Sequence, residues 1–145
     1  MEISLTKDQY ENLIKLVFLG DWLVNSFRTD RISDFDELEN HIYSHAQAFG
    51  LEKYVLYDEG AKEYFPTDAF EQSVVDYIEE YDEDNFWDEL VHSLGQRDFV
   101  RHYGRAAIQK MKFEEMLEKE APFVQKYADE FEKNGLRDLG LVKPE

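Results

Sequence analysis

Between Leu5 and Phe27 the chain carries a helix start and then more apolar residues than one helix face can hold. Thr6 with Gln9 three residues later has the spacing of a capping box. Leu5 and Tyr10 stand where a hydrophobic staple would close around it. Leu13, Ile14, Leu16, Val17, Phe18, Leu19, Trp22, Leu23, Val24 and Phe27 follow, spread over more than one face. A helix apolar nearly all round must be covered on several sides. It is therefore either the central helix of a bundle or a helix that turns one face toward a second subunit.

Helix start and stop signals recur downstream. Ser33 is the expected next N-cap, with Asp34 and Asp36 in the first turn. Phe35, Leu38, Ile42, Ala46 and Phe49 then recur at three- and four-residue steps, and Gly50 supplies the stop. Residues 51–65 read as either a short hairpin or a loop; an isolated hairpin is marginal in water, which favours the loop. After Pro66, Asp68 with Glu71 reads as a capping box ahead of the stripe Phe70, Val74, Tyr77, Ile78 and Tyr81. Asp82 to Asn85 reads as a restart, followed by Phe86, Trp87, Leu90, Val91 and Leu94. The pattern slips near Gly95 and ends at Gly104. A last stretch, 106–133, contains Pro122, which should kink or divide it. Asn134-Gly135 closes it, and Leu136, Leu139, Leu141 and Val142 are apolar enough to pack back. The expectation is a mostly all-α fold, one helical domain over 1–145, with about five or six helices.

Composition narrows the function. The 33 acidic and 16 basic side chains leave a net charge of −17, which disfavours nucleic acid and anionic membrane surfaces as partners. Apolar residues make up 43%, enough area to bury that disorder is not expected. Without cysteine there is no disulfide, thiol nucleophile or thiolate metal site. The most apolar stretch, Leu13 to Val24, is interrupted by Lys15, Gly20 and Asp21 and is too short to span a membrane. Met1 to Leu5 lacks the basic start of a secretory signal, so a cytoplasmic location is expected.

The charge is local. Residues 1–50 carry −5, residues 51–90 carry −12 from fourteen acidic and two basic side chains, and residues 91–145 balance to zero. Beyond the acidic run, Arg97, Arg101 and Arg105 fall at four-residue steps, which on one helix would form a stripe. Either the arginines pair with nearby carboxylates, or the surface has a negative and a positive end that steer a charged partner.

No nucleophile elbow, P-loop, dinucleotide fingerprint or zinc-protease motif occurs, and no cofactor is implied. His41 and His45, four apart, have the spacing of two metal-bound imidazoles but lack an identified third ligand. Glu89 and His92 have the Glu-x-x-His spacing of bundle di-metal sites, without the second copy such sites need. An EF-hand loop from Asp82 fails because Phe86 and Trp87 stand where Asp or Asn and Gly are required. Asp34-Phe35-Asp36 and Asp82-Glu83-Asp84 read as first-turn caps.

The segment Arg97-Asp98-Phe99-Val100-Arg101-His102 resembles, over those six residues, the R-x4-H motif of HEPN-type ribonucleases, which are small α-helical domains. The resemblance implies His102 as acid–base toward a ribose 2′-hydroxyl and Arg97 as the group that stabilises the phosphate.

Three functions follow as expectations. The leading one is a non-enzymatic protein–protein interaction module, self-associating as a homodimer through the apolar first helix. The second is an acidic mimic of nucleic acid, or an inhibitor that binds a basic protein. The third is the HEPN-like ribonuclease using Arg97 and His102.

Overall fold

The computed structural model describes residues 3–140. The chain is mostly helical, as its periodicity predicts. Six helices occur among the described residues: α1 Lys7–Asn25, α2 Ser33–Tyr43, α3 Asp68–Glu71, α4 Val75–Tyr103, α5 Arg105–Ile108 and α6 Phe113–Asn134. A two-stranded sheet, β1 Val55–Asp58 and β2 Glu63–Pro66, interrupts them. By the clustering of their contacts the residues form two compact units, Met1–Glu80 and Tyr81–Glu145. None of the helices among the described residues is long and apolar enough to cross a membrane. Leu141 and Val142 lie outside the described residues.

In the first unit α1 begins as its sequence predicts. The Thr6 hydroxyl accepts from the Gln9 amide at 3.2 Å, and the Gln9 side chain accepts from the Thr6 amide at 2.9 Å. Leu5 packs against the core that holds Tyr10, completing the staple. That core gathers Tyr10 and Ile14 of α1, Tyr43 of α2, Leu51, Val55 of β1, and Phe70 and Val74. Phe70 is its centre: Phe18, Tyr43 and Tyr54 all approach it edge-on, with centroids 5.4–6.2 Å away.

Ile32, not Ser33, caps α2, and its side chain makes no capping bond. The α-helix stops at Tyr43 and tightens into a 3₁₀ turn, Ala46–Phe49, before Gly50 ends it at φ 65°, a conformation that glycine adopts without strain. Only the C-terminal part of the stripe is buried; Phe35 and Leu38 are exposed. Residues 55–66 form a hairpin rather than the favoured loop, pairing Val55 with Pro66 through Asp58 with Glu63. The hairpin is stable because it is not isolated: Val55 is buried in the core, and Tyr54 and Tyr64 pack against it. Its turn is closed by the Asp58 side chain, which accepts from the Ala61 amide at 2.7 Å. Thr67 replaces the expected Asp68 as the cap of α3, its hydroxyl accepting from the Phe70 amide at 3.3 Å.

The acidic run does not restart a helix. α4 passes unbroken through Asp82 to Asn85 for 29 residues, so these side chains are mid-helix and not caps. Nothing there blocks a helix, and exposed carboxylates remain hydrated. In the second unit, Gly95 is buried because α6 lies on it. A Cβ there would meet Val124 side-chain and backbone atoms at 2.7–2.9 Å. Phe99 and Phe131 are the buried aromatics, flanked by Trp87 and Phe123. Gly104, at φ 76°, ends α4 where expected. The stretch 106–133 divides at residues 109–112 rather than at Pro122, which lies inside α6. Pro122 faces water, so the carbonyl that loses its helical partner can be hydrated. Leu136 and Leu139 stay about half exposed instead of packing back fully.

Candidate functional site

α1 carries two polar residues, Asp21 and Asn25, one turn apart on its buried face. Burial obliges them to find partners, and the partners come from the α1–α2 connection. Asn25 donates to Asp21 at 2.6 Å and accepts the Ile32 amide at 2.9 Å. Arg31 bridges Asp21 at 2.7 Å and Asp36 on α2. One turn further along α2, Tyr43 donates to Glu39 at 3.0 Å. Burial pushes Glu39 up to about 7, reinforced by the negative charges of Asp21 and Asp36 and opposed by the Tyr43 bond and by Arg31. Burial also pushes the Tyr43 hydroxyl far up. The outer side of this network opens into a groove of about 950 Å³ between α2 and β2, lined among others by Arg31, Glu39, His41, Lys62 and Phe65.

The histidine pair whose spacing would suit a metal but which lacks a third ligand sits beside it. The His41 and His45 rings approach edge to face with centroids 5.1 Å apart. No group of three or more His, Asp or Glu positioned to hold a metal occurs among the described residues. His92 bonds the Asp88 backbone and carboxylate at 2.9 and 3.2 Å, so its partner is Asp88 and not Glu89.

Arg97 and His102 lie five residues apart on α4, which separates them by about 140° around its axis. Arg97 points to Asp98 at 3.0 Å and to the Tyr127 hydroxyl at 2.9 Å. His102 is exposed and lies edge-on to Tyr103 and tilted against Phe123. The motif pair is thus divided between two α6 residues one turn apart, Tyr127 for Arg97 and Phe123 for His102. The arginine stripe is also broken, because α4 ends at Tyr103 and Arg105 begins α5. Asp98 gathers the charge instead. It accepts from Tyr127 and Arg97, and Lys126 and Arg101 stand at 3.6 and 3.8 Å. The Tyr127 and Arg97 bonds hold the Asp98 carboxyl below its usual range.

The acidic segment behaves differently. Its fourteen carboxylate side chains are all exposed. Among the described residues only Asp88 has an ion-pair partner, and that partner is His92. Eight of the fourteen lie on α4 between Asp76 and Glu89, spaced around most of the helix rather than along one face. Residues 79–86 form an uninterrupted exposed run that includes Tyr81 and Phe86, about half exposed.

Asp21, Asn25 and Glu39 were not singled out from sequence. Two polar residues four apart inside an apolar helix were the available signal for the first two. Glu39 looked like any charge on a polar helix face. No protein-family model, curated protein or solved structure matches the chain.

Proposed function

We propose that this protein is a non-enzymatic interaction module that recognises a basic protein partner through the carboxylates of α4. The observation that carries this reading is the near-complete lack of ion pairing in the acidic segment, while Asp98 in the neutral C-terminal third collects four polar partners. Unpaired exposed carboxylates leave a strong local field, which accelerates encounter with a positive partner and penalises a negative one. A duplex mimic would present its charges as a one-sided row, so their spread around α4 favours a basic protein over the mimic form.

The test compares equal charge changes at two places. Binding of poly-lysine at low salt is measured for the parent chain, for Glu79→Gln/Glu80→Gln/Glu83→Gln on α4, and for Glu114→Gln/Glu118→Gln/Glu120→Gln on α6. The α4 variant is expected to lose about ten-fold in affinity and the α6 variant much less. Equal losses from both would mean that net charge alone acts and would refute the reading.

A second reading, self-association through α1, is favoured by one specific observation. Leu16, Gly20 and Leu23 fall on one face of α1 and Phe27 follows in the turn beyond it; the three large side chains are 68%, 51% and 72% exposed. Such a patch is of the kind that marks an interface. Sedimentation at micromolar concentration is expected to show a dimer that Leu23→Glu converts to monomer; a parent chain that sediments as a monomer would rule this reading out.

A further inference from the structure

The second unit holds a furrow between α4 and α6 of about 560 Å³. Trp87 and Val91 from α4 and Ala128 from α6 supply its apolar floor, while Asp84, Asp88 and Glu132 stand along its rim. The α4 contributors recur at three- and four-residue steps, and Val124, Ala128 and Phe131 do the same on α6. Two helices that each turn such a stripe toward one furrow form the wall of a three-helix packing with the third helix missing. Gly95 brings the two backbones together, since even a methyl group there would collide with Val124. Trp87 is braced by Phe86 and Phe131, with centroids 5.1 and 5.8 Å away, and forms a rigid aromatic anchor of the type that dominates binding energy.

We infer that this furrow seats one amphipathic helix of a partner protein, its apolar side against Trp87, Val91 and Ala128 and its Lys or Arg residues against Asp84, Asp88 and Glu132. The inference rests on the basic-partner reading and specifies where and how that partner docks. Charge complementarity selects the occupant, because the three carboxylates on the rim call for cations on either side of an apolar stripe. A second copy of this chain is disfavoured by its own net charge of −17.

The experiment uses two synthetic peptides of about 18 residues, five helical turns, made only of Leu and Lys. In one the leucines follow i, i+3, i+4, i+7 spacing; in its isomer of identical composition they are spread around the helix. Trp87 fluorescence in a Trp22→Phe background reports occupancy. The amphipathic peptide is expected to bind at least ten-fold more tightly than its isomer. Ala128→Trp, which fills the furrow, should remove that preference, read for this variant by the anisotropy of a fluorescein label on the peptide because a second tryptophan masks Trp87. Asp84→Asn/Asp88→Asn/Glu132→Gln, nearly isosteric and chosen in case the tryptophan variant does not fold, should weaken the amphipathic peptide by at least about ten-fold.

Equal binding of both peptides, a preference that survives Ala128→Trp, or an amide variant that weakens the amphipathic peptide no more than its isomer overturns the furrow as the seat and leaves the basic-partner reading standing. Failure of both peptides to bind at low salt overturns that reading, and this inference with it. A parent chain that sediments as a dimer and becomes monomeric on Ala128→Trp would show a second copy in the furrow, and would also overturn the inference.

Discussion

Glu39 makes stability depend on pH in a direction that a simple surface carboxylate would not. Its carboxyl is partly buried on α2 against Tyr43, with Asp21 and Asp36 as negative neighbours, and it titrates at about 7 instead of the ordinary 4.5. Between those two values the folded chain holds a proton that the unfolded chain has released. Its contribution is complete below about pH 4.5 and is lost as pH rises through about 7. The gap sets a ceiling of about 3 kcal/mol at 1.36 kcal/mol per pH unit. Glu39 remains open to water along the groove, and screening there reduces the expected effect to about 1–2 kcal/mol. Glu39→Gln keeps a neutral side chain that can still accept from Tyr43, so it should remove this pH dependence while preserving the packing. Urea unfolding at about pH 5 and pH 8, followed by Trp22 fluorescence in a Trp87→Phe background, isolates the first unit. The parent is expected to lose about 1–2 kcal/mol more than Glu39→Gln between the two pH values. Equal losses would refute the assignment, because every other titrating group is common to both proteins.

Three further outcomes are expected. Asn25→Ala leaves the Ile32 amide without its acceptor in a site only 1% exposed, and should cost about 1–3 kcal/mol in the same Trp22-reported transition. Gly95→Ala gains roughly 1 kcal/mol of helix propensity but forces a methyl group onto Val124 backbone atoms, so a net loss of about 1–2 kcal/mol is expected in a Trp87-reported transition. A more stable Gly95→Ala protein would mean that the helices do not approach so closely. Pro122→Ala restores an amide donor on the exposed face of α6 and should stabilise that transition by about 1–2 kcal/mol, with a gain in helical circular dichroism.

Helix starts and stops were legible wherever the signal acts within one turn. The Thr6–Gln9 box and the glycines at 50, 104 and 135 each impose or permit a local backbone state, and that state needs no distant partner. The errors fall where exposure to water or a remote contact decides. Asp82 to Asn85 resembles a cap from its neighbours alone, yet nothing there competes with continuing the helix in water. Pro122 resembles a break, yet its exposed position leaves the orphaned carbonyl to solvent. The hairpin at 55–66 depends on Val55 entering a core built by residues from 10 to 74, which no window around residue 55 contains.

The candidate sites follow the same division. The helical class, the Thr6 cap, the glycine stops and the concentration of negative charge in residues 51–90 were legible because propensity, capping and residue count are local quantities. Which polar groups are buried and which charges are paired came from the folded arrangement alone. It drew Asp21, Asn25 and Arg31 into one network with Glu39 and Tyr43 beside it, gave Arg97 to Asp98 and Tyr127, and left the α4 carboxylates from Asp76 to Asp84 without an ion-pair partner among the described residues. Burial and pairing are set by residues far apart along the chain, and the energies that follow from them appear only once those residues have met.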